Sequence, residues 1–433
     1  MLRHIDKIIL FGFIFIFTGC HNHSESVVSE NNTSVISWEQ RDDIHLHNLN
    51  TDIVLYDHYD QESNKHFFTF SAASPAMEIN DVLIFPRSVR FPYGLLRKVD
   101  NIDQNDDGSL YVVTHPACLA DIFLKLHIDI VKNIEPEKIV DGWGNDIANE
   151  DPDTLHVLSK AEGVTVSLED IDNSEEESKS VNLTDTNSLK GINVKITDLK
   201  IADKVHVNGN IHLSPTIHLN LDVGTSCKVV WDGLHSHIVC HTVIHDQTHF
   251  IGDLSLGENL GVTIESQADV KNVKVSVANL YLGEIDIQVG PVPLVFIAKL
   301  DVNLPANIQT DSAIDMGMEY HFTTTEGVTY QNGYAEPVSN ISYDVKPTVL
   351  SAEGKANLKI GTSMDLGLFL YDVLGPWISL EPYMQITDND DEVKYYWGVE
   401  GSTSFGVKFL DYTINGFTYT LFNEREEVDM NNN

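Results

Sequence analysis

The stretch NIHLSPTIHLNLDV, residues 210–223, alternates apolar residues with polar or small ones. Ile211 and Leu213 begin the alternation, and Ile217, Leu219 and Leu221 continue it two residues apart. Successive side chains of a β-strand point to opposite faces, so this spacing predicts a strand with one buried face. A strand with one apolar face and one polar face is typical of an antiparallel sheet.

The same alternation extends on both sides of this stretch, from Gly191 to Phe422. It recurs in these groups: Val194 and Ile196; Val205 and Val207; Val273, Val275 and Val277; Ile285, Ile287 and Val289. Leu294 to Ala298 is a continuous apolar run, which suits a strand that is buried on both faces. Four dipeptides are predicted to form turns between strands: Asn208-Gly209, Gly290-Pro291, Asn332-Gly333 and Gly375-Pro376.

The N-terminal half is also rich in β-forming residues, but its strands are shorter. We predict strands over Val82–Phe85, Leu95–Val99 and Leu110–Thr114, and a short helical turn between Pro116 and Phe123. The fold class is therefore all-β, with a small N-terminal β-domain that includes a short helix, followed by a large antiparallel β-sandwich region. The predicted organisation is a signal peptide over 1–19, a flexible tether over 20–50, the small β-rich domain over 51–135, an acidic linker or irregular insertion over 136–190, the sandwich region over 191–425 and a disordered tail over 426–433.

Four stretches resemble an uncharacterised family of secreted, β-rich bacterial surface proteins. They are NDVLIFPRSVRFPYGLLRKVDNI (80–102), YVVTHPACLADIF (111–123), GPVPLVF (290–296) and LYDVLGPWISLEPY (370–383). The resemblance implies a secreted surface protein. It implies no activity and no catalytic residues.

The N-terminus combines a short apolar run with a cysteine. Arg3 and Lys7 precede the ten apolar residues of 8–17, which are too few for a membrane-spanning helix of about 20 and match a signal peptide instead. The following residues, from Phe17 to Cys20, resemble the lipobox of bacterial lipoproteins, in which the cysteine is acylated. In this resemblance His21 favours the outer membrane, so we expect Cys20 to anchor the protein in the cell envelope, on the periplasmic or the surface-exposed side. The alternative is an ordinary signal peptide with a chance cysteine.

The net charge limits the partners that the protein can have. The chain has 65 Asp and Glu against 27 Lys and Arg, a formal charge of −38. Such a surface repels nucleic acid, so no nucleic-acid partner is expected. Besides the membrane, a surface polysaccharide or another protein is the expected partner.

Two cysteines bracket a predicted hairpin. With Gly233-Leu234 as a two-residue turn, counting outward places Asp232 opposite His235 and Cys227 opposite Cys240. Facing positions of an antiparallel pair are close enough for a disulfide, and an exported chain can form one. We therefore predict a Cys227–Cys240 disulfide. Cys118 remains and is expected to be a small buried hydrophobe.

Two further patterns are candidate ligand sites. Asp103, Asn105 and Asp107 match the start of a calcium loop, but Thr114 stands where the loop needs a bidentate Glu. The segment is therefore an acidic hairpin tip or a weak calcium site, and no other cofactor is expected. Tyr395 and Trp397 share one face of a predicted strand, where they would form a sugar-stacking platform or pack in the core.

Histidines recur at even spacings. His206, His212 and His218 are six residues apart, and His237, His241, His245 and His249 are four apart. Even spacing places such residues on one face of a strand, where neighbours can converge on Zn or Cu. The alternative is a solvated strand face.

Sequence motifs for catalysis are absent. The chain has no Gly-x-Ser-x-Gly elbow, no P-loop and no dinucleotide-binding fingerprint. We predict a non-enzymatic, outer-membrane-anchored lipoprotein with a structural, adhesive or binding role at the cell surface. Two alternatives remain: an extracellular polymer-degrading hydrolase that uses a carboxylate pair, and a periplasmic lipid- or metal-binding protein.

Overall fold

The computed structural model describes residues 34–60, 63, 65–91, 94–117, 119–134, 136–142, 154–170, 190–232, 235–244, 248–290, 292–331, 334–352, 355–371, 374–388, 393–409 and 412–428. These ranges contain 24 strands, numbered β1 to β24 along the chain, the short α-helix α1 (Leu119–Ile122) and a 3-10 turn at Thr51–Ile53. The predicted all-β fold is therefore confirmed, and the predicted helical turn is present as α1. No helix in the described ranges has the length and apolar character needed to cross a membrane.

The first sheet contains residues 210–223, the stretch whose alternation predicted the β-fold. Its strands are β1 (Ser34–Gln40), β8 (Phe123–Asn133), β11 (Val164–Asp170), β12 (Lys190–Ala202), β13 (Val205–Asp232), β14 (His235–Ile244), β15 (His249–Ile264), β18 (Ile314–Gln331) and β19 (Tyr334–Ala352). The main order is β1-β8-β13-β15-β18-β19, and all of these pairs are antiparallel. The long β13 also pairs with β12 near its start and with β14 near its end.

The second sheet is the other half of the sandwich. Its strands are β9 (Lys138–Asp141), β10 (Thr154–Lys160), β16 (Ala268–Val289), β17 (Val292–Thr310), β20 (Ala356–Gly361), β21 (Ser363–Leu370), β22 (Leu374–Asp388), β23 (Val393–Phe409) and β24 (Tyr412–Glu427). The order is β24-β23-β22-β20-β17-β16-β10-β9, and β21 pairs with both β17 and β22. In this sheet β9 and β10 run parallel to each other.

The two sheets pack face to face, and side chains from both fill the interior. Ile211, Leu213 and Ile217 of β13 are buried there, as their alternation predicted. At Gly252 of β15, an added Cβ would lie only 2.7 Å from the Cδ1 atom of Ile378 on β22. Glycine thus lets the two sheets approach each other closely at this point.

The third sheet is small and packs against the core of the sandwich. Its strands are β2 (Leu46–Asn48), β3 (Val54–Asp60), β4 (Lys65–Phe70), β5 (Val82–Phe85), β6 (Leu95–Gln104) and β7 (Leu110–Pro116), in the order β2-β5-β6-β7-β4-β3. The second strand, β5, is buried on both faces. Leu83 and Phe85 pack in the sheet's own aromatic cluster, whereas Val82 and Ile84 belong to the core of the sandwich.

An ion pair also joins the third sheet to the sandwich. Arg87, which follows β5, donates a hydrogen bond to the carboxylate of Glu284 on β16. The same carboxylate accepts a 2.7 Å hydrogen bond from the hydroxyl of Tyr281. Glu284 is buried but has two donors, so its charge is compensated.

Four predicted segments differ from the structure. The predicted tether over 20–50 contains β1, which pairs with β8, and β8 itself lies in the predicted small domain but belongs to the first sheet. The predicted linker over 136–190 contains β9, β10 and β11. The predicted tail begins within β24, which continues to Glu427. β1, β9, β10 and β11 are short, and their pairing with neighbouring strands outweighs their weak sequence pattern.

Two of the predicted turns are wrong. Gly290 does lie between β16 and β17, in a left-handed conformation. Asn208-Gly209 instead lies within β13, where a Cβ at Gly209 would be 2.5 Å from the carbonyl oxygen of Asn259. Gly375 lies within β22 for the same reason, because the neighbouring backbone leaves no space for a Cβ. Asn332-Gly333 falls outside the described residues.

Candidate functional site

The outer face of the first sheet carries three of the predicted histidines. His206, His212 and His218 alternate along β13 with buried residues that face the interior. All three side chains are partly exposed. The predicted common face is therefore confirmed for β13, because the strand keeps its alternation over this whole region.

One of these histidines meets two groups from the neighbouring strands. The Nε2 atom of His218 is 2.9 Å from Oδ1 of Asp129 on β8. It is also 3.2 Å from Nε2 of His249 on β15, and the two imidazole rings have centroids 4.3 Å apart. Side chains from three adjacent strands therefore converge, and we call them the histidine cluster: Asp129, His218 and His249.

An amide lies at the centre of the histidine cluster. Asn220 of β13 is directly opposite Asp129 of β8 on one side and directly opposite His249 of β15 on the other. Residues opposite each other share a face of the sheet, so all of these side chains project outward together. The Oδ1 atom of Asn220 is shielded from solvent and has no hydrogen-bond partner. Leaving such an atom without a hydrogen-bond donor costs free energy.

The remaining histidines do not join this cluster. His206 is 2.7 Å from Asp198, and the Nε2 atom of His212 is 2.7 Å from the amide of Asn210. The side chains of His237 and His241, and the whole of His245, lie outside the described residues. Over the part of the chain that the structure describes, no group of three or more His, Cys, Asp or Glu side chains could hold a metal ion.

The predicted calcium loop is the tip of the β6–β7 hairpin. Asp103 accepts a 2.9 Å hydrogen bond from the amide of Asn101. The Oδ1 atom of Asp107 accepts hydrogen bonds from the backbone N–H and the hydroxyl of Ser109, at 2.9 and 2.6 Å. These two hydrogen bonds lower the pKa of Asp107. Asn105 also contacts Ser109, so two of the three proposed ligands stabilise the turn itself, and the structure favours the plain hairpin tip.

The predicted aromatic pair lies against the core. Trp397 of β23 is only 6% exposed, and its ring packs edge-on against Tyr343 of β19, with centroids 4.7 Å apart. Tyr395 is partly buried against the same core. A sugar-stacking platform needs exposed ring faces, so the burial of Trp397 favours the alternative of core packing.

The hairpin between β13 and β14 has the predicted register. Asp232 pairs with His235, Trp231 with Ser236 and Cys227 with Cys240. The side chains of this hairpin and its tip, Gly233-Leu234, lie outside the described residues, as do Cys20 and Cys118. The register is therefore confirmed, and the Cys227–Cys240 disulfide remains a prediction.

Sequence reasoning missed an acidic residue in the interior. Glu258 of β15 is fully buried, and its Oε2 atom accepts hydrogen bonds from the hydroxyls of Tyr320 and of Thr362, the latter at 2.6 Å. Its Oε1 atom has no partner, and burial raises the pKa of Glu258 to about 7. The sequence of β15 indicates this burial, because Glu258 occupies an inward position between Leu256 and Leu260.

A second buried acid lies beside a small cavity. Glu326 of β18 accepts a 2.7 Å hydrogen bond from Thr324, but its Oε2 atom has no partner, and burial raises its pKa to about 7. The cavity between the sheets is also lined by Gly252, Leu254, Met364, Leu366, Ile378 and Leu380. Its volume is ≈ 10 Å³, measured as the space open to the centre of a water molecule. This volume fits about one water, which would satisfy the carboxyl.

Comparison with protein-family models, with curated proteins and with solved structures found no significant match for this chain.

Proposed function

We propose that the protein is a lipoprotein, anchored through Cys20 to the outer membrane, whose sandwich has a structural, adhesive or binding role at the cell surface. The observation that carries the proposal is the filled interior of a long β-sandwich. Strands such as β16 have 22 residues, which corresponds to roughly 70 Å of strand. Because the core of this long sandwich is packed, partners would bind at its outer faces and edges.

The position of the cysteine supports the anchoring. Thirteen residues separate Cys20 from Ser34, where β1 begins. Even a fully extended chain of this length spans at most about 50 Å. An acylated Cys20 would therefore hold the sandwich close to the membrane surface.

The hydrolase alternative lacks support from the buried acids. Glu326 lies opposite Gly252, which is six residues from Glu258 along β15. Six residues of a strand span about 20 Å, whereas the two carboxyl groups of glycoside hydrolases are about 5 to 9.5 Å apart. Glu258 and Glu326 are thus too far apart to act as a catalytic pair, and both are shielded by the core.

The lipid-binding alternative is not favoured by the interior. The cavity beside Glu326 has space for about one water, whereas small-molecule sites are usually several hundred Å³ in volume. For the metal-binding alternative, no group of three or more His, Cys, Asp or Glu side chains among the described residues could hold a metal ion.

Fractionation of cells tests the anchor. We expect the wild-type protein in the outer-membrane fraction and the Cys20→Ser variant in the soluble fraction. External protease applied to intact cells should degrade the wild-type protein if it faces outward. A Cys20→Ser protein that stays with the membranes as the wild type does would refute the lipid anchor.

A further inference from the structure

Exposed apolar side chains are concentrated in the third sheet and its loops. Five of the eight exposed large hydrophobic side chains among the described residues belong to this part of the chain: Leu55, Tyr56, Ile79, Val89 and Tyr111. Single exposed apolar residues are common on protein surfaces, whereas a concentration of them marks an interaction surface. This distribution points to the third sheet as a surface that binds a partner.

Four adjacent strands of this sheet, β3, β4, β7 and β6, align their outward side chains in two rows. The first row consists of Tyr56, Thr69, Tyr111 and Asp103, each directly opposite the next. The second row consists of His58, Phe67, Val113 and Asn101. All of these residues are exposed or partly exposed. The residues that alternate with them, such as Phe68 and Val112, are fully buried in the sheet's own aromatic cluster.

Aromatic rings from three of these strands are aligned with one another. The ring of Phe67 is nearly parallel to the rings of His58 and Tyr111, with interplanar angles of 21° and 22° and centroids 6.3 Å apart in both pairs. Tyr56 is 60% exposed and Tyr111 is 36% exposed. We call Tyr56, His58, Phe67 and Tyr111 the aromatic face. Unlike the buried Trp397, these side chains are accessible to a ligand.

Hydrogen-bonding side chains are interleaved with the rings of the aromatic face. Thr69 lies between Tyr56 and Tyr111, and Asp103 and Asn101 end the two rows on β6. The amide of Asn101 donates a 2.9 Å hydrogen bond to Asp103, which holds the two side chains together. A hydroxyl, an amide and a carboxylate therefore provide donors and acceptors beside the aromatic surface.

We propose that the aromatic face binds a neutral polysaccharide. A pyranose ring has an apolar C–H face and hydroxyl groups around its edge, so it requires an aromatic surface and hydrogen-bonding groups next to it. The formal net charge of −38 repels acidic polymers, so the polymer is a neutral one. The inference names a ligand class for the proposed binding role and rests on that role, but it does not depend on the lipid anchor.

The mixture of rings and polar groups distinguishes this face from a protein–protein interface. Protein interfaces have an apolar core surrounded by a polar rim. Here a polar residue, Thr69, lies between two tyrosines, an alternation that fits the alternating C–H and hydroxyl groups of a sugar chain. On the other side of the sheet, Phe68, Phe70 and Val112 are fully buried and fix the strands. The aromatic face therefore needs little ordering when it binds.

Affinity electrophoresis of the purified full-length protein, in native gels with a sugar-free detergent, tests the proposal. The gels contain one soluble neutral polymer each, namely hydroxyethyl cellulose, glucomannan, galactomannan or arabinoxylan, and alginate is the acidic comparison. We expect at least one neutral polymer to retard the wild-type protein and alginate to have no effect. Tyr111→Ala should weaken binding about tenfold, because it removes one stacking ring.

Three further variants separate stacking from other effects. Tyr343→Ala is the matched control, because Tyr343 is also 36% exposed but lies on β19 of the first sheet; it should leave binding unchanged. Tyr111→Leu keeps an apolar side chain without a ring and should bind as weakly as Tyr111→Ala. Tyr56→Ala changes a largely exposed side chain, so it should weaken binding while its thermal unfolding matches that of the wild type.

The outcomes that contradict the proposal are specific. It is wrong if no neutral polymer retards the wild-type protein, if alginate binds as well as the neutral polymers, or if Tyr343→Ala weakens binding as much as Tyr111→Ala. Self-association that Tyr111→Ala abolishes, without any bound polymer, would show that the aromatic face contacts a second copy of the chain instead. Cell fractionation and external protease test the anchor and the surface location separately, so failure of this inference would leave those results intact.

Discussion

The interior of the sandwich and its periphery place acidic side chains in opposite environments. Glu258 is enclosed by the two sheets, and burial raises its pKa to about 7. Asp107 lies at the exposed tip of the β6–β7 hairpin, where hydrogen bonds from Ser109 lower its pKa. Removal from water disfavours the charged form, whereas donors directed at a carboxylate favour it.

Acidic residues therefore have two different roles in this chain, one at the periphery and one in the interior. The peripheral acids contribute to the large negative charge and pair with local donors. Burial raises the pKa of the interior acids Glu258 and Glu326 to about 7, so the stability of the folded protein should depend on pH in the range below neutrality.

The largest expected effect comes from reversing a charge in the interior. Glu258→Lys would bury an ammonium group and remove the acceptor of Tyr320 and Thr362. An unpaired buried charge costs about 3–5 kcal/mol or more, so the variant should unfold at much lower urea concentration than the wild type. Urea unfolding followed by circular dichroism measures the loss.

The same reversal at the periphery is the matched control. Asp106→Lys changes the charge by the same amount at an exposed position of the β6–β7 tip. Its unfolding midpoint should match that of the wild type. If both variants lose equal stability, net charge rather than burial determines the effect, and the comparison between interior and periphery fails.

The pH dependence of stability should come next in size. Between pH about 4.5 and about 7, the unfolded chain releases the proton of Glu258 while the folded chain keeps it. The folded state then binds more protons, so stability falls as pH rises through this window and levels off above it. The contribution is about 3 kcal/mol for Glu258, and Glu326 should act in the same direction.

Comparison with a neutral variant isolates this contribution. Glu258→Gln cannot ionise, so its stability relative to the wild type should increase by about 2.5 kcal/mol between pH 5 and pH 8. Urea unfolding of both proteins at the two pH values gives this difference. A constant difference would mean that Glu258 is already ionised in the folded protein at pH 5.

Sequence periodicity predicted the fold class and the long strands because a long alternation has one physical explanation. Along β13, apolar residues at every second position leave only one face that can be buried. The same reasoning failed for the short β9 and β10, where a few apolar residues lie beside acidic runs. Asn208-Gly209 was misleading because glycine serves a close backbone approach as well as a turn.

Sequence alone predicted which histidines share a face but not which of them meet. The approach of His218 to His249 depends on the register of β13 against β15, and the place of Asp129 depends on β8, which comes from the N-terminal half. Such pairings between distant segments are set by the packing of the whole sheet.

The smallest expected effect on global stability comes from the hairpin of β13 and β14. Here the peripheral feature is a disulfide rather than an acidic side chain. Its register places Cys227 opposite Cys240, and β14 pairs with β13 at the end of the first sheet. We expect a disulfide between them, which peptide mapping under non-reducing conditions should detect.

Because this disulfide closes a loop of about 14 residues, it can stabilise the protein by at most about 3 kcal/mol. The sandwich core is formed by other strands, so reduction should increase hydrogen exchange within Cys227–Cys240 and leave the core strands β15 and β18 protected. The Cys227→Ser/Cys240→Ser double variant should behave like the reduced protein, and reductant should have no further effect on it. Free thiols at both positions, or pairing of either cysteine with Cys118, would refute the bond. Loss of protection in β18 on reduction would instead show that this peripheral hairpin unfolds together with the interior.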